Sequence, residues 1–325
     1  MSLPGKILTM LKLLARLDFA TLRRQWTINQ GQLVLWWHRG KPFVHRRLGF
    51  PSVCHPDWID SADFFCINAG DHWEYRLLEQ WLEPGDQFLD LGANVGYYAF
   101  AALPVVGPGG LVVAVDAAPF VIEKLQLSAQ LLGAANLRGV QAAITDTDGE
   151  ISFHVCPTGF VTTEQSIRPP DTLLPQSVKI TVPARTLRRL QHDTALGARL
   201  SAVKIDIEGA EGAALRAAPS KWFSAEGPLW IVEINPSALA RFEVTAQDIL
   251  RHFPAEHFEC WVLPKHPLDP NTLPRLRPAS AQDRFDDSYY YNFFALPRNP
   301  RWRQRALRLA SFFPDSTLTR PPTHD

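Results

Sequence analysis

The chain has 325 residues, 46% of them hydrophobic, which allows one large domain with an extension. Lys and Arg number 33 and Asp and Glu 33, so no global charge argues for a nucleic-acid partner. The four cysteines (Cys54, Cys66, Cys156, Cys260) are far apart and form no CxxC pair. That pattern speaks against a zinc site or a disulfide framework and for a reducing cytoplasm.

The neutral total hides an asymmetry. Residues 1–50 carry nine Lys/Arg against a single acid, Asp18, and the stretch after residue 298 is again rich in arginine. Residues 3–24, LPGKILTMLKLLARLDFATLRR, read as a basic amphipathic helix with Leu8, Leu11, Ala15 and Phe19 near one face. Two readings stand: a helix docked on the main domain, or a peripheral anchor on anionic lipid. Lys12 and Arg16 break the apolar part and no clear small-residue cleavage site follows, so a signal peptide is not expected. No apolar run reaches the ~20 residues of a membrane span. Residues 31–48, GQLVLWWHRGKPFVHRRL, predict two short strands around the turn Arg39-Gly40-Lys41-Pro42.

From residue 72 the pattern becomes that of a parallel α/β domain. Trp73, Leu77, Leu78 and Trp81 recur at helical spacing over 72–82, and Pro84-Gly85 ends that helix. Strand one is 87–91, followed by a glycine turn and a helix from Tyr97. Strand two is 111–116, a helix spans 120–132, and strand three is 137–142. Residues 150–155 and 178–182 alternate like antiparallel strands and read as an insertion at the strand ends. Strands four to seven are expected at 202–207, 229–234, 258–263 and 290–296, with the Pro-rich 264–278 as a loop. The resulting organisation is an extension over 1–67, a main domain over 68–298 and a basic tail over 299–325.

The chemistry is announced at FLDLGANVGYYAF, residues 88–100: an apolar strand carrying Asp90, a bend bracketed by Gly92 and Gly96, then helix. Glycine is needed where backbone passes close to another group, and a helix start offers free N–H groups. A dinucleotide fold would read GxGxxG here, but Asn94 stands where the middle glycine belongs. A pyrophosphate is also ill-suited to a neighbouring carboxylate. A cofactor with an ammonium and a ribose but no phosphate suits it, and S-adenosylmethionine is such a molecule. Asp116, ending strand two, then suits the ribose hydroxyls. Each acid by itself is equally read as a cap or a loop-starting residue; it is their joint placement that points to the cofactor. Asp146, in TDTDG, suits the adenine amino group or a capped turn. Glu74, on the helix before strand one, is a further candidate at the methionine end.

With DLGANVGYYAF (90–100), VVAVDAAP (112–119), AAITDTDGEISFHV (142–155), VKIDIEGAE (203–211) and IVEINP (231–236), the chain resembles the FkbM family of S-adenosylmethionine-dependent methyltransferases over roughly residues 68–296. The resemblance implies a class I methyltransferase, Rossmann-like fold with a mostly parallel sheet of seven strands, the seventh antiparallel. It also implies O-methylation of a hydroxyl on a small metabolite or sugar. One departure is Asp116-Ala117, where the family more often has Glu-Pro; residues 1–67 match the family poorly.

In VKIDIE, alternation sets Lys204, Asp206 and Glu208 on one face of strand four, and charges on a central strand are costly unless paired. An internal ion pair accounts for Lys204. Asp206 and Glu208 approach the carboxyl edge where ligands bind in open α/β sheets, and are the first candidates to accept the acceptor's proton or position its hydroxyl. Glu211 and Glu233 are in reserve, Glu211 also being well placed near a helix amino end. His154 is an alternative base. Asp206, Glu208, Glu233 and Asn235 are hard oxygen ligands, yet equally consistent with a metal-free site, the reading adopted. An NAD-dependent oxidoreductase and a non-catalytic cofactor-binding module are the competing functions. A small-molecule or glycan hydroxyl is the expected partner, with no nucleic acid and with membrane contact through residues 1–24 as the anchor reading.

Overall fold

A computed structural model describes residues 19–67, 72–156, 165–172, 175, 177–264, 276–280, 283–285 and 291–313. Two compact units divide the chain, Met1–Asp71 and His72–Asp325. In the first unit, helix α1 (Phe19–Trp37) is followed by a short antiparallel pair, β1 (Phe43–His45) and β2 (Ser52–Cys54), and by helix α2 (Ile59–Ile67). The hairpin expected over 31–48 is therefore displaced. Residues 31–37 extend α1, and Arg39 (φ 50°) and Gly40 (φ 74°) end the helix rather than join two strands. The run LVLWW favours strand intrinsically, but Leu35 packs beside Phe43, Cys54, Phe65 and Cys66 in a small core, and tertiary packing overrides propensity. Of the stretch 3–24, only residues 19–24, which open α1, lie within the described residues.

The second unit begins with α3 (His72–Trp81) and continues as β3 (Gln87–Leu91), α4 (Tyr97–Val106), β4 (Leu111–Asp116), α5 (Pro119–Leu132) and β5 (Leu137–Gln141). There follow β6 (Ala143–Ile144), β7 (Gly149–Val155), β8 (Val178–Arg185), α6 (Leu187–Thr194), β9 (Leu200–Ile205), α7 (Glu211–Arg216) and β10 (Leu229–Ile234). The unit closes with α8 (Pro236–Ala240), α9 (Ala246–Leu250), β11 (Phe258–Pro264), β12 (Arg277–Pro278), β13 (Tyr291–Pro297) and α10 (Arg303–Phe312). The main sheet has the order β12-β11-β13-β10-β9-β3-β4-β5. Among the described residues it holds eight strands, not the seven expected, because Arg277–Pro278, at the end of the Pro-rich stretch read as a loop, pairs with Trp261 and Val262 of β11. A two-residue edge strand of Arg and Pro carries no alternating pattern from which it can be read. The inner strands β10, β9, β3, β4 and β5 are mutually parallel, and β13 runs antiparallel between β10 and β11.

Every residue of β9 and β10 is buried, as both faces of a parallel sheet require. The order has its switch point at β3 and β9, neighbours in the sheet whose following loops both rise at the same carboxyl edge. The antiparallel strands β7 and β8 leave this sheet and form a separate one in the order β6-β8-β7.

Within the stretch read as a tail, α10 docks on the turn before β3. Arg305 is buried and its guanidinium donates to both oxygens of buried Asp86 and to Glu83, while stacking 4.7 Å from the Trp302 ring. Asp86 also accepts from the Glu83 amide, so the clamp fixes the entry of the strand that carries Asp90. Arg305→Ala leaves that carboxylate buried without its counter-charge and is expected to cost about 3–5 kcal/mol of stability by denaturant titration. Adding Asp86→Asn is expected to recover part of the loss.

Candidate functional site

The site is built on the ends of β3, β9 and β10. Strand β3 delivers Asp90, fully buried, beside Lys204 of β9, its direct neighbour in the parallel register. The chain then bends at Gly92, whose φ is 73°, and a Cβ there would lie 1.7 Å from the Asp206 carbonyl oxygen. The glycine thus answers to the backbone leaving β9, which no side chain allows to come so close. Asn94 adopts φ 48°, tolerable for its short amide, and Gly96 (φ 102°) starts α4. The Asn94 and Ala118 amides donate to the two oxygens of Asp116 at 3.1 and 2.9 Å. The glycine bend and the end of β4 are one hydrogen-bonded piece.

Lys204 joins the two halves. Its ammonium lies 3.1 Å from Asp206 Oδ2, 4.0 Å from Asp90 Oδ1 and 4.8 Å from the centre of the Tyr98 ring. Burial alone would lower its pKa, but the carboxylates of Asp206, Asp90 and Glu233 outweigh it and hold it above its usual value. Among the described residues neither oxygen of Asp90 meets a hydrogen-bond partner at full bonding geometry, and burial raises its pKa to about 6 against the pull of Lys204 and of the Ala99 amide. Burial likewise raises Asp116 to about 6 despite its backbone donors. A buried carboxylate this sparsely partnered beside a bend that admits no side chain suits a cationic ligand, and the set fits S-adenosylmethionine.

Three carboxylates gather beyond Lys204. Ligand oxygens of Asp206, Glu208 and Glu233 all lie within 4.8 Å of one another. Glu208 has φ 56°, the left-handed region that a residue other than glycine or asparagine rarely occupies. Three side chains hold it there. Ser166 Oγ donates to the Glu208 carbonyl at 3.1 Å, and Arg241 Nη2 lies 3.4 Å from that carbonyl and 3.9 Å from Oε2. Glu211 Oε1 accepts from the Ile207 and Gly209 amides at 2.9 and 3.3 Å. Burial raises Glu211 to about 7, and its contacts make it a brace of the turn.

Other expected residues fall as follows. Buried Glu74 accepts from Asn292, which stands opposite Glu233 in the β10–β13 register, so it reaches the same edge. Asp146 is half exposed and pairs with Arg216 at 3.0 Å. His154 bonds Ser177 through its ring at 3.0 Å. Asn235 accepts from the Ala238 amide, capping α8. Sequence reasoning missed Tyr98, Ser166, Arg241 and Asn292. Each is brought in from a different segment, with no local pattern to mark it.

Both aspartates bind protons more strongly folded than unfolded between 3.8 and about 6, so the stability of the ligand-free protein falls as pH rises through that window. Binding of a cation should oppose this, so S-adenosylmethionine affinity measured by calorimetry is expected to weaken as pH drops below about 6. Asp90→Asn is expected to lower cofactor affinity at least about tenfold and to flatten the fall of ligand-free stability between pH 3.8 and about 6. A variant that keeps the wild-type affinity, or the full pH dependence, would contradict this account of Asp90.

Residues 90–260, more than half of the chain, match the Methyltransferase FkbM domain. No curated protein matches in sequence. Among solved structures, the methyltransferase FkbM from Methylobacillus flagellatus KT is 12% identical with a TM-score of 0.38, over 72% of this chain and 52% of that one. Cofactor-bound Rv0187 from MTB is 14% identical with a TM-score of 0.37, over 71% and 82%. A putative rRNA-methylase from Clostridium thermocellum is 8% identical with a TM-score of 0.37, over 69% and 93%. The family match falls on the segment that carries Asp90, the glycine bend, Asp116 and the Lys204–Glu211 turn, and by it the chain belongs to the FkbM family of S-adenosylmethionine-dependent methyltransferases.

Proposed function

We propose that this methyltransferase acts on oxygen, methylating a hydroxyl of a small metabolite or of a sugar or glycan. The observation that carries the reading is the carboxylate group of Asp206, Glu208 and Glu233, set at the sheet edge one ammonium away from Asp90. A neutral alcohol is a poor nucleophile and must shed its proton as it reacts, which a positioned carboxylate accepts. An amine acceptor has less need of three acids, and no Asp/Asn-Pro-Pro-aromatic tetrapeptide follows β9.

On this reading Asp90, Gly92, Asn94, Gly96 and Asp116 hold the cofactor, with Glu74 towards its methionine end and Asp146 at the adenine rim. When bound, S-adenosylmethionine supplies an already activated methyl group, so the protein's task is alignment and proton removal. Glu208 is the best placed of the acids to take the proton, because its turn is braced from three sides while Asp206 is committed to Lys204. Glu211 supports that turn, and Glu233 orients the acceptor. Lys204 already neutralises part of the cluster, which favours a site without a resident metal. The four separated cysteines fit action in the cytoplasm.

Incubation with methyl-labelled cofactor and source-cell extract tests the acceptor. Label in a nuclease-resistant, low-molecular-weight or glycan methyl ether is expected; label confined to RNA or to amines would overturn the reading. Glu208→Gln is expected to reduce single-turnover methyl transfer by about 10²–10⁴-fold with cofactor affinity nearly unchanged. Activity should survive exhaustive chelation, and its loss would restore a metal to the carboxylate group.

A further inference from the structure

The amino-terminal unit presents a surface that the methyltransferase reading does not use. Helix α1 turns one face to α2: a Cβ on Gly31 would lie 2.8 Å from the Cys66 Cα, and Leu35, one turn on, joins the small core. On the other side Trp26, Leu33 and Trp37 follow at intervals of seven and four residues, a single stripe of the helix. They are 57%, 65% and 75% exposed, and Trp36 beside them is 72% exposed. Such a row of bare indoles is not what a solvated helix face displays.

The charge around the stripe is of one sign. From residue 19 to residue 56 the chain has six Lys/Arg and no Asp or Glu. Arg23, Arg39, Lys41 and Arg46 are exposed, and Arg39 and Lys41 lie in the turn that ends α1 directly after Trp36 and Trp37. A second copy of the chain would set these cations against themselves. A nucleic acid offers negative charge, but its binding sites are grooves that stack bases on rings, whereas here Leu33 and Val34 share a convex helix face with the tryptophans. Indoles prefer the boundary between headgroups and acyl chains, and basic side chains beside them meet anionic headgroups.

We propose that the exposed face of α1, with Trp26, Leu33, Trp36 and Trp37 and the flanking Arg39, Lys41 and Arg46, is a docking surface for an anionic phospholipid membrane. The helix lies along the interface and does not cross it, since no helix among the described residues is long and apolar enough to span a bilayer. This surface is independent of the acceptor's identity: it sets where the enzyme works, not what it methylates.

The test uses the full chain in flotation with vesicles of phosphatidylcholine alone and of phosphatidylcholine mixed with phosphatidylglycerol. Flotation with the anionic vesicles only, a shift of tryptophan emission to shorter wavelength, and weakening by salt are expected. The combined variant Trp26→Ser, Trp36→Ser and Trp37→Ser should lose at least about tenfold in vesicle affinity, and Arg39→Glu with Lys41→Glu and Arg46→Glu should lose a comparable factor. Both variants should keep the wild-type affinity for S-adenosylmethionine, which reports that the second unit is folded. Absence of flotation, or flotation that both variants retain, overturns the proposal, the latter placing any anchor elsewhere, as in residues 1–18. Variants that abolish only self-association or RNA binding, in a chain that does not float, overturn it as well.

Discussion

One buried ammonium organises the catalytic unit. Lys204 sits in the middle of a parallel sheet, where an unpaired charge would cost several kcal/mol. It is tolerated because Asp90 arrives from the adjacent strand and Asp206 from two residues further along its own. That arrangement demands that the backbone leaving β3 and the backbone leaving β9 come together, and Gly92 is the residue that permits it. The Asp206 amide donates to the Leu91 carbonyl at 3.0 Å, completing the join. The turn after β3 and the turn after β9 are thus mechanically one object. The glycine is a demand of the fold before it is a demand of any ligand.

The Glu208 turn is held differently. Glu208 and Gly209 take left-handed backbone in succession, and the turn persists because three side chains grip it: Ser166, whose backbone pairs with His154 of β7, Arg241 from the end of α8, and Glu211 from the start of α7. Arg168 extends the grip, donating to the Arg241 carbonyl at 2.9 Å and stacking 5.0 Å from the Phe242 ring. Backbone strain that the surroundings over-determine is a mark of functional sites. The inserted strand β7 thereby supports the Glu208 turn although it lies outside the main sheet: its His154 pairs through the backbone with Ser166, whose hydroxyl fastens Glu208.

Asp90 shows why such a site is not optimised for stability. A carboxylate at 0% exposure works against the fold whenever it is ionised, and its raised pKa reflects that conflict. Sheets of this class tolerate the conflict where a charged ligand resolves it. The amino-terminal unit shows a second departure from a solvated surface, in the tryptophans of α1, and there the resolution lies with a partner rather than with a small molecule.

The strands β3, β4, β5, β7, β8, β9 and β10 with the helices α4, α5 and α7, the positions of Asp90, Asp116 and Asp206, and the family itself were legible in the sequence. Each depends on a local pattern: an apolar run ending in an acid, a glycine at a bend, an acid at a strand's end. Besides the two-residue β6 and the helix α6, three things were not. The eighth strand is too short to carry a period, residues 31–37 favour strand yet pack as helix, and the brace around Glu208 draws on a residue 42 positions away from it. Local chemistry determines which element a segment forms when burial agrees with it. Where long-range packing decides instead, as at α1 and at the Glu208 turn, the deciding atoms belong to other parts of the chain, and only the folded molecule brings them together.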